Sequence, residues 1–124
     1  MLKIIVPLAA LLLGSWFVYD GARALTKGDY TTPSSGPHAG QLGPWSKIVA
    51  SVGLDPHGQA MKIAHVSLGV LWIAAAALFV LNPAVGRLAL IVCSCGTLWY
   101  APLGTVISLG LLVALVWFIK IPST

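Results

Sequence analysis

The longest uncharged segment of this chain limits its fold more than any other feature. From Leu88 to Ile119 there are 32 residues without a formally charged side chain. As one straight helix this segment would be about 48 Å long, whereas the hydrocarbon core of a bilayer is about 30 Å thick. Near its middle lies Trp99–Pro102, where interfacial aromatics and a proline favour a turn. We therefore predict a tight hairpin of two spans, about 84–100 and 103–120, with a single kinked helix as the alternative.

The composition indicates that the whole chain belongs to the membrane class. Of its 124 residues, 58% are hydrophobic and 8% are charged, whereas roughly a quarter of the residues in a soluble domain are charged. Seven basic and three acidic residues give a formal net charge of +4, and the basic residues are scattered beside apolar segments. This placement is typical of topology signals and lipid anchors. It excludes an ordinary soluble enzyme and a nucleic-acid-binding protein.

Two further apolar segments predict spans at about 4–25 and 57–81. The first follows Lys3 and lacks a clear cleavage pattern, so we interpret it as a retained signal anchor. We expect its helix to continue to Lys27, with Gly28 as the C-terminal cap. The second span has Asp55 as a candidate N-cap, followed by Pro56, and it ends at Asn82–Pro83. The prediction is an all-α integral membrane protein, one membrane domain over 1–124 with four transmembrane helices.

The segment 28–55 is the one long extramembrane loop of this prediction. Residues 28–44 are rich in Gly, Pro, Ser and Thr without periodicity, which indicates irregular backbone. A short amphipathic helix follows, because four apolar residues recur at i, i+3, i+4 and i+7. These residues are Trp45, Ile48, Val49 and Val52. We expect this face to rest at the membrane interface or to contact a partner subunit, and we add Trp99 and Tyr100 to the predicted interface.

Four spans place both termini on one side of the membrane, and the basic residues indicate which side. The side of the termini has Lys3, Arg87 and Lys120, and the side of the loop has Arg23, Lys27, Lys47 and Lys62. The first span usually dominates orientation, and Lys3 precedes it with no acidic residue nearby. We therefore predict a multi-pass protein of the bacterial inner membrane with cytoplasmic termini and a periplasmic loop 28–55.

The membrane part of the second span is Ile63–Leu81, and His65 is the only histidine within the membrane part of any predicted span. It is the one candidate cofactor ligand. A neutral imidazole at this position can bind the iron of a haem or the magnesium of a chlorophyll. A bis-histidine haem needs a second intramembrane histidine, and Met61 stands where light-harvesting polypeptides have a small residue. A hydrogen-bonded interfacial histidine is the simpler interpretation. We predict no resident cofactor and no metal site, with bound lipid or pigment as the alternative.

The sequence contains no recognisable catalytic constellation. Cys93 and Cys95 are about 200° apart on a helix, so a regular helix cannot bring both to one metal or one disulfide. Between Ile4 and Tyr19, Ile63 and Leu81, and Leu88 and Ile119 there is no Asp, Glu, Lys or Arg. Proton-coupled transport requires such a group within the membrane. The small residues of Cys93–Thr97 are instead typical of close helix packing in lipid. We therefore predict that the chain is not an enzyme.

Two segments carry a resemblance to other proteins. Leu98–Thr105, LWYAPLGT, resembles a hairpin found in small bacterial multispan membrane proteins, and residues 28–45 resemble a family signature. The resemblance implies a protein of the same build, and small subunits of this kind occur around photosynthetic reaction centres and respiratory complexes. We expect a non-catalytic accessory subunit of a larger bacterial membrane complex, photosynthetic or respiratory. Its partners would be membrane lipids and larger membrane-protein subunits, without nucleic acid. The alternatives are a pigment- or haem-binding protein that uses His65, and a small transporter or channel.

Overall fold

The described part of the chain is helical throughout. A computed structural model describes residues 2–28, 30, 42, 44–100 and 103–118, and among these residues it contains no strand. The helices are α1 (Leu2–Lys27), α2 (Pro44–Ser51), α3 (Gln59–Leu81), α4 (Pro83–Gly96) and α5 (Leu103–Val113), and a π-helical turn over Ala114–Phe118 continues α5. The predicted all-helical class is confirmed.

Two of the described helices are long and apolar enough to cross a membrane. They are Lys3–Lys27, with 25 residues, and Gln59–Leu81, with 23 residues. At 1.5 Å per residue they measure about 37 Å and 34 Å. The other two apolar stretches are Pro83–Gly96 and Gly104–Trp117, which are shorter than 18 residues. Each is about 21 Å long as a helix, less than the hydrocarbon core of a bilayer.

Glycines bring α1 and α3 into antiparallel contact. A β-carbon at Gly14 would lie 2.8 Å from the carbonyl oxygen of Gly69, and one at Gly21 would lie 2.9 Å from the β-carbon of His65. Real β-carbons do not approach other atoms so closely, so only glycine allows the two backbones to meet here. Such small-residue contacts are a common basis of helix association in lipid.

The buried residues of α1 follow a spacing of alternating three and four positions. This is the spacing of two helices that pack along one seam with a small crossing angle. Apart from Gly14 and Gly21, the buried set is Val6, Ala10, Leu13, Phe17, Asp20 and Ala24. One of the six is acidic, and all of them lie on the side of α1 that the rest of the chain covers.

A tight turn at Asn82 joins α3 to α4. The Asn82 amide donates to the carbonyl of Leu78 at 2.6 Å, and its side-chain oxygen accepts from the amide of Val85 at 3.5 Å. Pro83 takes the first position of α4, where its missing amide hydrogen costs no helical bond. The helix end predicted at Asn82–Pro83 is confirmed.

The helices α4 and α5 run antiparallel. Arg87, near the start of α4, donates from Nε to the carbonyl of Leu115 in the π-helical turn at 2.7 Å. A cation at the C-terminal end of a helix also interacts favourably with the helix dipole. Residues 101 and 102, where the predicted Pro102 turn falls, lie outside the described residues.

The helix α3 begins later than the predicted position 57. Asp55 accepts a hydrogen bond from the amide of His57 at 3.0 Å through Oδ1, and its carbonyl accepts from the amide of Gly58 at 3.0 Å. These bonds close a turn, and the N-cap of α3 is Gly58, which makes no side-chain cap bond. Asp55 therefore stabilises the turn that precedes α3 and does not cap the helix itself.

The helix α4 ends at Gly96, before the predicted position 100. Glycine is a poor helix former, and Thr97 closes the last turn with an amide bond to the carbonyl of Ser94 at 3.2 Å. A further turn follows, in which the amide of Tyr100 donates to the carbonyl of Thr97 at 3.1 Å. Of the predicted irregular loop, residues 29, 31–41 and 43 lie outside the described residues, as do positions 119 and 120 of the last predicted span.

Candidate functional site

Aromatic side chains surround His65 at the end of the bundle where α1 ends and α3 begins. Their ring centroids lie between 4.7 and 5.7 Å from that of the imidazole. The imidazole itself has no exposed surface. We call this group the loop-side aromatic cluster, and it consists of Phe17, Tyr30, Trp45, Trp99 and Tyr100 around His65.

The close approach of α1 to α3 places Phe17 against His65. Phe17 is fully buried, and its ring centroid lies 5.4 Å from that of His65. Gly21, one turn later in α1, has no side chain to separate the two helices at His65. The position of Phe17 thus depends on a glycine four residues away.

Two basic side chains hold the segment that carries Tyr30 against the bundle. Gly28 ends α1 with a φ of 94°, the left-handed conformation expected of a C-terminal glycine. The ammonium group of Lys62 donates to the carbonyl of Gly28 at 2.9 Å, and Nη1 of Arg23 donates to the carbonyl of Tyr30 at 2.7 Å. Lys62 therefore places a positive charge at the C-terminal end of α1, where the helix dipole favours cations, and Arg23 binds the segment that follows the helix.

The amphipathic helix α2 packs one half of its apolar face onto the chain itself. Trp45 and Val49 are buried, and Trp45 stacks on Tyr100 with a centroid distance of 5.7 Å. Ile48 and Val52 remain exposed, by 42% and 71%. The predicted interface residues therefore divide into two groups. Tyr100, Trp45 and Val49 are buried and Trp99 is half-buried, whereas Ile48 on α2 and Val52 directly after α2 are exposed.

The last two rings of the loop-side aromatic cluster, those of Trp99 and Tyr100, lie in the turn that follows α4. Trp99 is half-buried and donates from Nε1 to the carbonyl of Gly96 at 2.6 Å. Tyr100 is buried, and its hydroxyl accepts a hydrogen bond from Nε1 of Trp16 at 2.9 Å. A β-carbon at Gly104 would lie 2.7 Å from that of Tyr100, so α5 starts directly beneath this ring.

Among the described residues His65 makes one hydrogen bond, and that bond fixes its tautomer. Nδ1 lies 2.8 Å from the carbonyl oxygen of Met61. A carbonyl only accepts, so Nδ1 bears the proton of the neutral ring and Nε2 keeps its lone pair. Nε2 is buried and has no hydrogen-bond partner among the described residues. The ring therefore has a free acceptor in an apolar, aromatic environment, which is a destabilising arrangement unless something binds it.

Asp20 belongs to this site, although its charge favours a position at the membrane boundary. It is 2% exposed, one turn beyond Phe17 on the buried side of α1. It lies close enough to act electrostatically on both His65 and Tyr100. A carboxyl group and an imidazole thus share one buried region, together with two tyrosines.

The cluster leaves little space for a large planar cofactor. A haem or chlorophyll bound through Nε2 needs an open face beside the imidazole. Here five rings with centroids within 5.7 Å occupy the surroundings of His65. Pigment or haem ligation therefore requires this cluster to open. Among the described residues, no three His, Cys, Asp or Glu side chains come together as a metal site.

The comparisons with other proteins identify no family for this chain. No family model, no curated protein and no solved structure matches this chain. The resemblance of LWYAPLGT to a bacterial hairpin therefore stays a prediction. Sequence analysis identified His65, Trp45, Trp99 and Tyr100, and it missed Phe17, Tyr30 and Asp20 as members of the same site.

Proposed function

We propose that this chain is a non-catalytic accessory subunit of a larger bacterial membrane complex, embedded through four spans. The observation that carries the proposal is the apolar exterior, which covers the long helices and continues onto α2. Photosynthetic and respiratory complexes are the hosts to be tested first. The chain would occupy the boundary between larger subunits, with α2 on the loop side as a contact surface.

Large apolar side chains are exposed along α1, α3, α4 and α5. A soluble monomer rarely exposes a contiguous apolar patch of more than a few hundred Å². Lipid tails or the helices of other subunits are the environments that such an exterior fits. Examples with at least half of their surface exposed are Ile4, Leu12, Leu71, Val80, Leu88, Val92, Val106 and Leu109.

The polar residues near the two ends of α1 and of α3 are separated by about the thickness of a membrane. From Lys3 to Arg23 along α1 is about 30 Å, and from Lys62 to Asn82, at the end of α3, is about 30 Å. Both lengths are close to a hydrocarbon core of about 30 Å. Lys3 favours a cytoplasmic N-terminus, and four spans place the C-terminus on the same side of the membrane. A reporter that works only in the cytoplasm is therefore expected to be active when it is fused to the C-terminus.

The exposed apolar side chains of α2 and of the turn that follows it form the proposed contact surface for a partner. Ile48, Val52 and Leu54 are exposed by 42%, 71% and 53%, and they lie outside the four proposed spans. Apolar groups at this level are stabilised only when a partner or the lipid interface covers them. Ala50 lies about 200° from Ile48 around α2 and offers a matched control position.

Co-purification in a mild detergent tests the proposal. We expect a tagged chain to migrate with larger membrane subunits in a native gel, in fixed stoichiometry. Val52→Lys should release the chain from that complex, because it places a charge in the contact surface. Ala50→Lys should leave the complex intact. A wild-type chain that migrates alone as a stable species contradicts the proposal.

A second candidate function rests on the free acceptor of His65. An imidazole that donates from Nδ1 to a backbone carbonyl has the hydrogen bonding typical of a metal-ligating histidine. The chain would then bind a pigment or haem after the cluster opens. An absorption spectrum of the purified complex that is the same in wild type and in His65→Phe contradicts this candidate.

A further inference from the structure

We propose that the groove between α1 and α3, at the end of the bundle opposite the loop, binds one acyl chain of an anionic phospholipid. The ammonium group of Lys3 binds the phosphate of that lipid. This inference rests on the membrane placement proposed above and names the ligand of one surface. The groove has a volume of about 600 Å³. Its lining is apolar apart from Lys3, and it includes Pro7, Leu8, Leu11, Ala77 and Val80.

The groove lies beside the seam between α1 and α3, in which Val6 and Ala10 stay buried. Along α1 it extends from Lys3 to Leu11, on the Lys3 side of the contact between Gly14 and Gly69. Its α3 wall includes Ala77, which is exposed and has a small side chain. A flexible apolar ligand can lie in such a groove.

The length of the groove matches one leaflet. From Lys3 to Leu11 along α1 is about 12 Å, and half of a hydrocarbon core is about 15 Å. A partner helix that crosses the membrane would need a contact surface that continues over the whole thickness of the hydrocarbon core. The groove ends near the middle, so an acyl chain that descends from the surface fits it better than a helix.

The positive charge of Lys3 at the open end of the groove favours a lipid with an anionic headgroup. The three acidic residues of the chain are Asp20, Asp29 and Asp55, and the first of them lies about 25 Å from Lys3 along α1. That distance exceeds the Debye length of about 8 Å at physiological ionic strength. Arg87, near the start of α4, adds a second positive charge at this end. The ammonium group of Lys3 therefore has an anionic lipid as its natural counter-charge.

Native mass spectrometry of the detergent-solubilised full chain tests the site with two probes. Dioleoyl phosphatidylglycerol and dioleoyl phosphatidylcholine have the same tails and differ in charge. We expect the wild type to retain phosphatidylglycerol preferentially. Lys3→Gln should weaken that binding about fivefold, the effect of one lysine at an anionic surface, and leave phosphatidylcholine binding unchanged. Ala77→Phe, which fills the groove, should weaken the binding of both lipids.

Two controls and one second measurement make the outcome decisive. Lys47→Gln and Ala64→Phe change exposed residues outside the groove and should leave lipid binding unchanged. A photo-crosslinking residue in place of Leu8, used in native membranes, should form an adduct with the mass of a phospholipid. Equal binding of the two lipids by the wild type overturns the proposal, and so does a polypeptide adduct at position 8. A chain that folds in water without detergent contradicts the membrane placement itself, whereas a detergent-dependent chain without lipid preference contradicts only this site.

Discussion

The indole of Trp72 donates a hydrogen bond of 2.9 Å to the hydroxyl of Thr97, the residue at which α4 ends. Both side chains are fully buried, and the same hydroxyl donates to the carbonyl of Cys93 at 2.7 Å. One threonine thus joins the middle of α3 to the turn that carries Trp99 and Tyr100. The loop-side aromatic cluster depends on this bond for the position of two of its rings.

Thr97→Val is expected to lower the free energy of unfolding by about 1–3 kcal/mol, because the buried indole N–H of Trp72 loses its acceptor. Valine has nearly the same shape, so the loss reports the hydrogen bond and not a cavity. Thermal unfolding in detergent, followed by tryptophan fluorescence, measures the change. Thr26→Val is the matched control, since that hydroxyl is exposed and bonds only to its own helix. Equal effects of the two variants would show that the Trp72 bond contributes nothing.

Gly69→Ala is expected to destabilise the contact of α1 with α3. The new methyl group would overlap the carbonyl oxygen of Gly14, and overpacking of this kind costs about 1–3 kcal/mol. Gly110→Ala is the control, because a β-carbon there meets no atom within 4 Å. The free energy of unfolding of the control should be unchanged or higher, since alanine favours a helix. A Gly69→Ala protein as stable as wild type would contradict the close packing at this glycine.

The helices and their approximate positions could be predicted from the sequence, because apolar length and turn residues determine them locally. The end of α3 at Asn82–Pro83 and the positive φ of Gly28 depend on single residues of known preference. The start of α3 and the end of α4 were predicted wrongly. Asp55 bonds to the turn before α3, and the sequence pattern does not distinguish that bond from a helix cap. Thr97 bonds to the carbonyl of Cys93, and the sequence pattern does not show that α4 stops there.

The site was only half predictable, because it joins segments that are far apart in the sequence. Tyr30 follows an irregular segment, and no periodicity indicates which residue it will contact. Asp20 had a usable signal, since it falls on the three-and-four spacing of the buried residues Leu13, Phe17 and Ala24. Its charge alone suggested a boundary position. The heptad spacing of α1 predicts instead that it faces the bundle.

Arg87→Gln is expected to loosen the π-helical turn at the end of α5. Nε of Arg87 donates to the carbonyl of Leu115, and loss of a hydrogen bond from a charged group costs about 1.5–3 kcal/mol. Amide hydrogen exchange over Ala114–Phe118 should become faster, while exchange over Gln59–Leu81 should stay the same. Lys47→Gln removes an exposed charge of α2 and should change neither region. Unchanged exchange in the π-helical turn would mean that the turn is stable without the arginine.

His65 offers a prediction that separates a structural role from a binding role. His65→Phe keeps a ring inside the cluster and removes the buried Nε2 acceptor that has no hydrogen-bond partner among the described residues. If the histidine serves only packing, this variant should unfold at the same temperature as wild type or higher. His65→Ala should lose about 3–5 kcal/mol, as large-to-small changes at buried rings do. The melting temperatures of both variants, measured in the same detergent, test the ring contacts. A His65→Phe protein that folds with wild-type stability but no longer joins its complex, or loses an absorption band, would show that the free nitrogen binds a ligand and that a purely structural role is wrong.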